Sequence, residues 1–322
     1  MGMIALPSGI TRDAIVVGRA GMDLYPDPPG TRIDEASRFV ADLGGSAGNI
    51  AVAMARHGAR VALAAPVSDD PVGQYVAAQL AALGVEHLTP APVSGDARTS
   101  LALAETVADG SRAVIYRNGA ADFALSPDAL TSDIVRTARA VVVTGTALAA
   151  EPSRSTALGA LRAAHTAVLD LDYRPYSWPD PETTRAVCAE AIETVDILVG
   201  NAEEFGQIAP PGIDGATHAR RLSDDATLIY KMGGEGCRVI RDGEAGPLIP
   251  PFRVGALKPF GAGDAFLGGA LARLLQGEML ENALRFAAAA AALVVGRVGC
   301  AGAMPTTPEV LNFIACQEAP HA

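Results

Sequence analysis

The chain has 322 residues, with 36 acidic against 25 basic side chains, a formal net charge of −11 and five dispersed histidines. An acidic surface repels nucleic-acid phosphates unless a local basic groove overrides it, and no basic run occurs, so a nucleic-acid partner is excluded. Cys188, Cys237, Cys300 and Cys316 are scattered without CxxC spacing, which fits reduced thiols and neither a disulfide framework nor a zinc site.

The length exceeds that of a usual single domain, yet open α/β folds reach it as one unit, so one domain over 1–322 with a small appendage is expected. In chain order, short apolar runs rich in β-branched residues recur at 13–18, 60–68, 139–145, 167–172, 196–200 and 227–233, separated by Ala/Leu-rich segments of helical spacing. That alternation predicts βαβ units and a mostly parallel sheet. Two stretches break it. An extended piece at about 31–42 precedes a glycine pair, and between 86 and 117 the runs TSLALAETV and SRAVIYR alternate by two around the turn-like ADGS at 108–111. They predict antiparallel insertions forming a small β lid over the carboxyl ends of the main strands, where open α/β sheets bind ligands.

From Gly261 onward the chain reads as nearly all helix. Its most apolar stretch, Phe286 to Val295, is bracketed by Arg285 and Arg297 and is too short to span a bilayer, so it predicts a buried helix. No basic segment leads into an apolar core and cleavage site at the start, and a cytoplasmic protein is expected. A mean hydropathy of +0.24 is consistent with strands covered on both faces and with an oligomer. Exposed lid strands offer an edge for a second subunit, which predicts a homodimer.

No Gly-x-x-x-x-Gly-Lys-Ser/Thr run is present, which excludes a Walker-type loop. The phosphate candidate is GAGDAF at 261–266. Gly261 and Gly263 permit a tight turn with bared N–H groups, and Asp264 stands in the first turn of the helix that follows. Amides there suit a transferring phosphoryl group, and a carboxylate within reach of an attacking hydroxyl suits a general base. On spacing alone an ordinary turn with an Asp favouring the helix dipole accounts for the run equally well.

Context separates the two. GGSAGNIAVAMARHG at 44–58 with PVSDDPVG at 66–73, and FGAGDAFLGGALARLL at 260–275, resemble the two signature regions of the PfkB carbohydrate kinases. NAEEF at 201–205 is similar to that family's Asn-x-x-Glu motif, and KMGGEGC at 231–237 to its nucleotide-side glycine turn. The resemblance runs from about Asp13 to about Leu311. It implies a ribokinase-like three-layer α/β sandwich with a central mostly parallel sheet and a small β-sheet lid, and ATP- and magnesium-dependent phosphorylation of a sugar or sugar acid. GRAGMDL at 18–24, YRNGAADFAL at 116–125, LDYRPYSW at 171–178 and LKPFGAGDAF at 257–266 look like the branch acting on the 6-hydroxyl of 5-dehydro-2-deoxy-D-gluconate. Relatives acting on 2-dehydro-3-deoxygluconate or fructose compete. So does a non-catalytic sensor on the same scaffold, although a sensor has no need of Asp264.

By that resemblance Asp264 is the base and the Gly261, Ala262 and Gly263 amides hold the transferring group. Asp23 and Asn49 would bond sugar hydroxyls, and Gly44 and Gly45 would let the sugar approach the backbone. Lys231, Gly233 and Gly236, with Lys258, Gly261 and Gly263, would face the nucleotide. Asn201 and Glu204 would organise magnesium through water. A substrate carboxylate calls for bidentate cations, for which Arg19, Arg98, Arg117 and Arg174 are candidates at strand ends or lid segments. The chain has only two lysines, Lys231 and Lys258, both at nucleotide motifs. Many relatives carry an acid at the position of Lys258 that helps bind a monovalent cation, so its ammonium is expected to stand in for that cation.

Overall fold

The computed structural model describes residues 9–107 and 110–318. Strand β1 (Arg12–Val17) is a buried interior strand of a large sheet, with Ala14 to Val17 fully inaccessible. Next come β2 (Gly21–Pro26), β3 (Phe39–Gly44), α1 (Ser46–Arg56), β4 (Val61–Ala64), α2 (Pro71–Ala82), β5 (Glu86–His87), β6 (Leu101–Ala104) and β7 (Ala113–Tyr116). The middle of the chain holds α3 (Ser132–Val135), β8 (Ala138–Thr144), α4 (Ser153–Ala163), β9 (Ala167–Asp170), α5 (Pro181–Ile192), β10 (Ile197–Asn201), α6 (Ala202–Ile208) and α7 (Gly215–Leu222). It ends with β11 (Thr227–Lys231), β12 (Cys237–Arg241), β13 (Glu244–Ala245), α8 (Ala262–Leu275), α9 (Leu280–Val295) and α10 (Thr307–Glu318).

The described residues form a nine-stranded sheet in the order β13-β12-β11-β10-β9-β8-β1-β4-β5, parallel except for β12 and β13. Helices cover both faces, and separate apolar cores fill the two sides. A strand buried on both faces needs no polar alternation, which is why the parallel strands read as continuous apolar runs. The helix starts are chemically marked: Asp70, Asp180 and Asp214 accept first-turn N–H groups of α2, α5 and α7, each cap contributing about 1 kcal/mol. From β1 the chain passes to β4 on one side and later to β8 on the other, so the order reverses beside β1 and leaves a crevice at the carboxyl ends.

A second sheet, β3-β2-β6-β7, lies over that crevice. β2–β3 and β6–β7 are antiparallel pairs, joined by parallel pairing of β2 with β6. The 31–35 segment is pinned to it by the fully buried Glu105, which accepts from Arg32 and Arg112 and from the Ile33 N–H.

The lid differs from expectation at two points. β2 is a lid strand although residues 21–26 lie outside both expected insertions; its pairing with β3 and β6 places it there. Residues 86–87 belong to the large sheet, paired parallel with β4, so the second insertion begins after them. In the 108–111 turn, Ala108 and Asp109 lie outside the described residues. The predicted buried helix is α9, with Phe286 at 3% exposure. Among the described residues no helix is long and apolar enough to cross a membrane.

Candidate active site

A cavity of about 470 Å³ lies between the two sheets. Its floor is the carboxyl ends of the parallel strands: Arg19 after β1, Thr146 after β8, Asp170 and Asp172 at β9, Asn201 at β10 and Lys231 at β11. Asp23 and Tyr25 of β2, with Ala102, Ala104 and Ile115 from β6 and β7, form the roof. Gly45, Ser46 and Asn49 enter from the start of α1, and Gly261, Gly263 and Asp264 from the start of α8. A second cavity of about 340 Å³ adjoins it, sharing Lys231, Gly233, Pro259 and Gly263, and is otherwise mostly apolar, with Phe252, Phe266, Ala288, Ala291 and Val295. A larger groove of about 860 Å³ between β13 and the start of α9 is lined by none of these polar groups.

Asp264 sits where the cavities meet. Gly261 caps α8 with φ +83°, a left-handed conformation costly for other residues, and a Cβ there would stand 3.1 Å from Cys300 Sγ. This turn aims the first N–H groups of a fourteen-residue helix at the junction. Asn49 Nδ2 donates to Asp264 Oδ2 at 2.7 Å, across 215 residues of sequence. Burial and the Asp172 charge push the Asp264 carboxyl up to about 6, against the pull of Asn49, Arg174 and Lys231. A carboxylate titrating there is ionised at neutral pH and more basic than an exposed one, as a general base requires.

The sugar-side residues present unused hydrogen-bonding capacity. Asp23 Oδ1, Asn49 Oδ1 and Ser46 Oγ are buried with no partner among the described residues. Burial pushes Asp23 up to about 6, against the nearby Arg19 charge. Orphaned buried polar atoms cost about 1–3 kcal/mol each, so a cavity holding three is built for a polar guest. Gly44 has a different reason from the one expected: a Cβ there would collide with the Asp23 carboxylate, so the space is taken by Asp23 and not by a sugar. Gly45, at φ +90°, is packed against the Arg19 carbonyl, 2.5 Å from where its Cβ would be.

The four arginines separate. Arg98 does not line the cavity; it bonds the Gly95 and Ala97 carbonyls and stands 3.8 Å from Asp70, its side chain mostly exposed. Arg117 is buried against Asp122 and the Thr146 carbonyl, its guanidinium over the Phe123 ring. Arg174 pairs with Asp172 at 2.7 Å, an Asp held at a positive φ of 32°. Arg19 is buried, donates to Ser100 Oγ at 3.1 Å and has no ion-pair partner among the described residues. Of the three in the cavity, it holds the least neutralised charge.

Lys231 bonds Asp170 at 3.0 Å and lies 3.8 Å from Glu204; despite burial, these carboxylates hold its ammonium above the usual lysine range. Asp170 is itself pushed up by burial and by the Glu204 and Asp172 charges. Asn201 and Glu204 form a reciprocal capping box on α6, each accepting the other's backbone N–H at 2.9 Å. Among the described residues no group of three or more His, Cys, Asp and Glu side chains could hold a metal ion. Two acids and an amide at the phosphate end suit a cation held through water. Gly236, at φ +99°, turns β11 into β12 at the wall of the second cavity.

Lys258 lines neither cavity. It is wholly buried behind the α8 turn, its Nζ donating to the Phe260 carbonyl at 2.6 Å, with no ion-pair partner among the described residues. Tyr25, Ser46, Asp170 and Cys300 line the cavity without having been singled out. Asp170 carried a signal, an acid at the carboxyl end of a buried parallel strand; the others did not.

Comparison with known proteins places this geometry. Residues 11–307 match the pfkB family carbohydrate kinase. A 5-dehydro-2-deoxygluconokinase of Photobacterium profundum is 37% identical over 329 residues, covering 99% of each chain. One of Clostridium perfringens is 34% identical over 313 residues, covering 94% of this chain and 92% of the relative. Among solved structures, a Xylella fastidiosa fructokinase with bound ATP superposes with a TM-score of 0.82 at 26% identity, over 95% of this chain and 99% of that one. An E. coli putative ribokinase II in complex with ATP and magnesium shares the fold, with a TM-score of 0.84 at 20% identity over 95% and 99% of the two chains. With a family match over most of its length and a half-buried acid at the mouth of a glycine-capped helix, this chain belongs to the pfkB family of carbohydrate kinases.

Proposed function

We propose that this carbohydrate kinase transfers the γ-phosphoryl group of ATP to the 6-hydroxyl of 5-dehydro-2-deoxy-D-gluconate. The observation that carries the kinase chemistry is the Asp264–Asn49 pair at the junction of a polar and an apolar cavity. The relatives carrying that substrate's name match over nearly the whole chain, and Arg19, Arg117 and Arg174 line the polar cavity to receive an acid.

In this reading the adenine lies in the apolar cavity against Phe252, Phe266 and the α9 alanines. The sugar's hydroxyls donate to Asp23 Oδ1 and Asn49 Oδ1, and its carboxylate faces Arg19, with Arg117 and Arg174 completing a positive wall. Asp264 accepts the hydroxyl proton as that oxygen bonds to the γ-phosphorus and the bond to the ADP oxygen breaks. The Gly261, Ala262 and Gly263 amides stabilise the transferring group. Lys231, oriented by Asp170, neutralises phosphate charge. Magnesium, when bound, screens charge on the β and γ phosphates; Asn201, Glu204 and Asp170 would hold its water shell. The lid excludes water and so limits idle ATP hydrolysis.

Lys258 supplies, in our reading, the fixed charge behind the α8 turn that a monovalent cation would otherwise provide. Its complete burial and its bond to the Phe260 carbonyl, next to Gly261, support this. Turnover should be equal in potassium and in tetramethylammonium salts; strict potassium dependence would remove the assignment. We further propose that the protein is cytoplasmic, where ATP is available and the buried free thiols stay reduced. A second copy is proposed to cover the outer lid face, where the cross-strand rows Met22–Leu101–Tyr116 and Leu24–Leu103–Val114 are apolar throughout, with Tyr116 58% and Val114 44% exposed.

The deciding experiment is coupled ADP release across 5-dehydro-2-deoxy-D-gluconate, 2-dehydro-3-deoxy-D-gluconate and fructose. The highest kcat/KM is expected for the first. A preference for either of the others reassigns the substrate, and no release with any of them points to a sensor.

A further inference from the structure

Between the lid and the α8 turn lies a contact that the chemistry above does not use. Asp42 on β3 is the cross-strand partner of Asp23 on β2, the acid that faces the sugar. Its carboxylate leaves the lid and accepts the backbone N–H of Cys300 at 2.8 Å and that of Gly302 at 3.1 Å, while also accepting the Leu43 N–H at 2.8 Å. The receiving turn is shaped for it: a Cβ on Gly299 would stand 2.5 Å from Oδ2, and one on Gly302 would stand 2.9 Å from Oδ1. The Ala301 N–H bonds the Leu43 carbonyl at 3.3 Å beside it.

This turn reaches the phosphate site. Cys300 Sγ packs where a Cβ on Gly261 would be, 3.1 Å away, so the residue that caps α8 rests on it. Tyr25, two residues from Asp23, places its hydroxyl within hydrogen-bonding distance of both Asp23 Oδ2 and Cys300 Sγ, at 3.2 and 3.0 Å, donating to one and able to accept from the thiol. Cys300 is thus held from the lid twice, at its backbone by Asp42 and at its side chain by Tyr25. The sugar-facing strand and the phosphate-facing turn have this one small loop in common.

We propose that Asp42 is a positioning residue that ties sugar binding at Asp23 to the setting of the Gly261–Gly263 amides. A sugar that fixes β2 then fixes β3, the 299–302 turn and the α8 cap, so sugar and nucleotide bind with mutual tightening, each strengthening the other by the same factor. The inference rests on the kinase reading above.

The test measures binding of a non-hydrolysable ATP analogue with magnesium, with and without 5-dehydro-2-deoxy-D-gluconate, in wild type, Asp42→Ala and Asp42→Asn. Wild type should show mutual tightening on the order of tenfold. In Asp42→Ala the factor should fall towards one and kcat should fall with it, while each ligand alone binds as in wild type. Asp42→Asn keeps one acceptor oxygen and should lie between, which preserves the test if the alanine variant does not fold. Tightening that survives both substitutions, or is absent from wild type, overturns the proposal, as does weakened binding of either ligand alone. A failed kinase reading looks different, since wild type itself then releases no ADP with this acid.

Discussion

Replacing Asp264 by Asn tests the mechanism and the electrostatics of the site together. The group's rise from the usual 3.8 to about 6 means that the folded protein disfavours its ionised form by about 3 kcal/mol at neutral pH. The folded state therefore binds the proton more tightly than the unfolded chain between roughly pH 4 and pH 6, and stability falls as pH rises through that window. The cost is fully present above pH 6 and absent below about pH 4. The Asp264→Asn side chain carries no charge, and because the rise to about 6 is already net of the Asn49 bond, a gain approaching about 3 kcal/mol is expected at pH 8, or roughly 4–5 °C in Tm. Turnover should fall by about 10²–10⁴, the usual contribution of a general base, with sugar affinity retained. Thermal unfolding at pH 8 and pH 4.5 beside ADP release reads both quantities. A near-normal kcat would refute the base assignment, and a stability gain independent of pH would refute the electrostatic account.

The same geometry yields three further expectations. Asn49→Ala removes the one side-chain bond that lowers the Asp264 pKa, so the acid limb of the pH–rate profile should move upward from about 6; an unmoved limb shows the 2.7 Å bond to be inconsequential. Arg19→Gln should raise KM for the sugar acid by about 10- to 100-fold with little change in kcat, since a charge-assisted bond contributes about 1.5–3 kcal/mol, whereas fructose should be nearly unaffected. Equal losses for acid and neutral sugar would remove Arg19 from carboxylate binding. Val114→Asp with Tyr116→Asp should convert the proposed dimer to monomer in sedimentation, and a mass unchanged from wild type would show that this face is not the interface.

The parallel sheet was legible because strands buried on both faces must be apolar throughout, and the runs at 167–172 and 196–200 fall within a few residues of the observed strands Ala167–Asp170 and Ile197–Asn201. The lid was legible only in part. β6 and β7 alternate in a way a half-buried strand must, but β2 owes its existence to pairing with β3 and β6, which no local pattern records. Asp264 could be found from a helix start after two glycines. Its bond to Asn49 could not, because the two approach only when α1 and α8 pack together. Arg98 and Arg19 look alike as sequence, each beside a strand. Only the fold turns one outward to Asp70 and buries the other in the cavity.

Cation usage shows how an acidic chain can still hold a polyanion. Of its 25 basic residues the two lysines both lie at the α8 turn, one before it and one behind it, and each is anchored: Lys231 by Asp170, Lys258 by the Phe260 carbonyl. Arginines elsewhere are largely spent in ion pairs, as Arg12 with Glu86 and Arg162 with Glu190 show. A net charge of −11 repels a nucleotide at long range, where salt screens it; the half-buried Lys231 ammonium at the cavity and the wholly buried Lys258 ammonium behind the turn are proposed to act at short range, where salt screens far less. Raising ionic strength should therefore weaken nucleotide binding far less than it would for a site built from exposed cations.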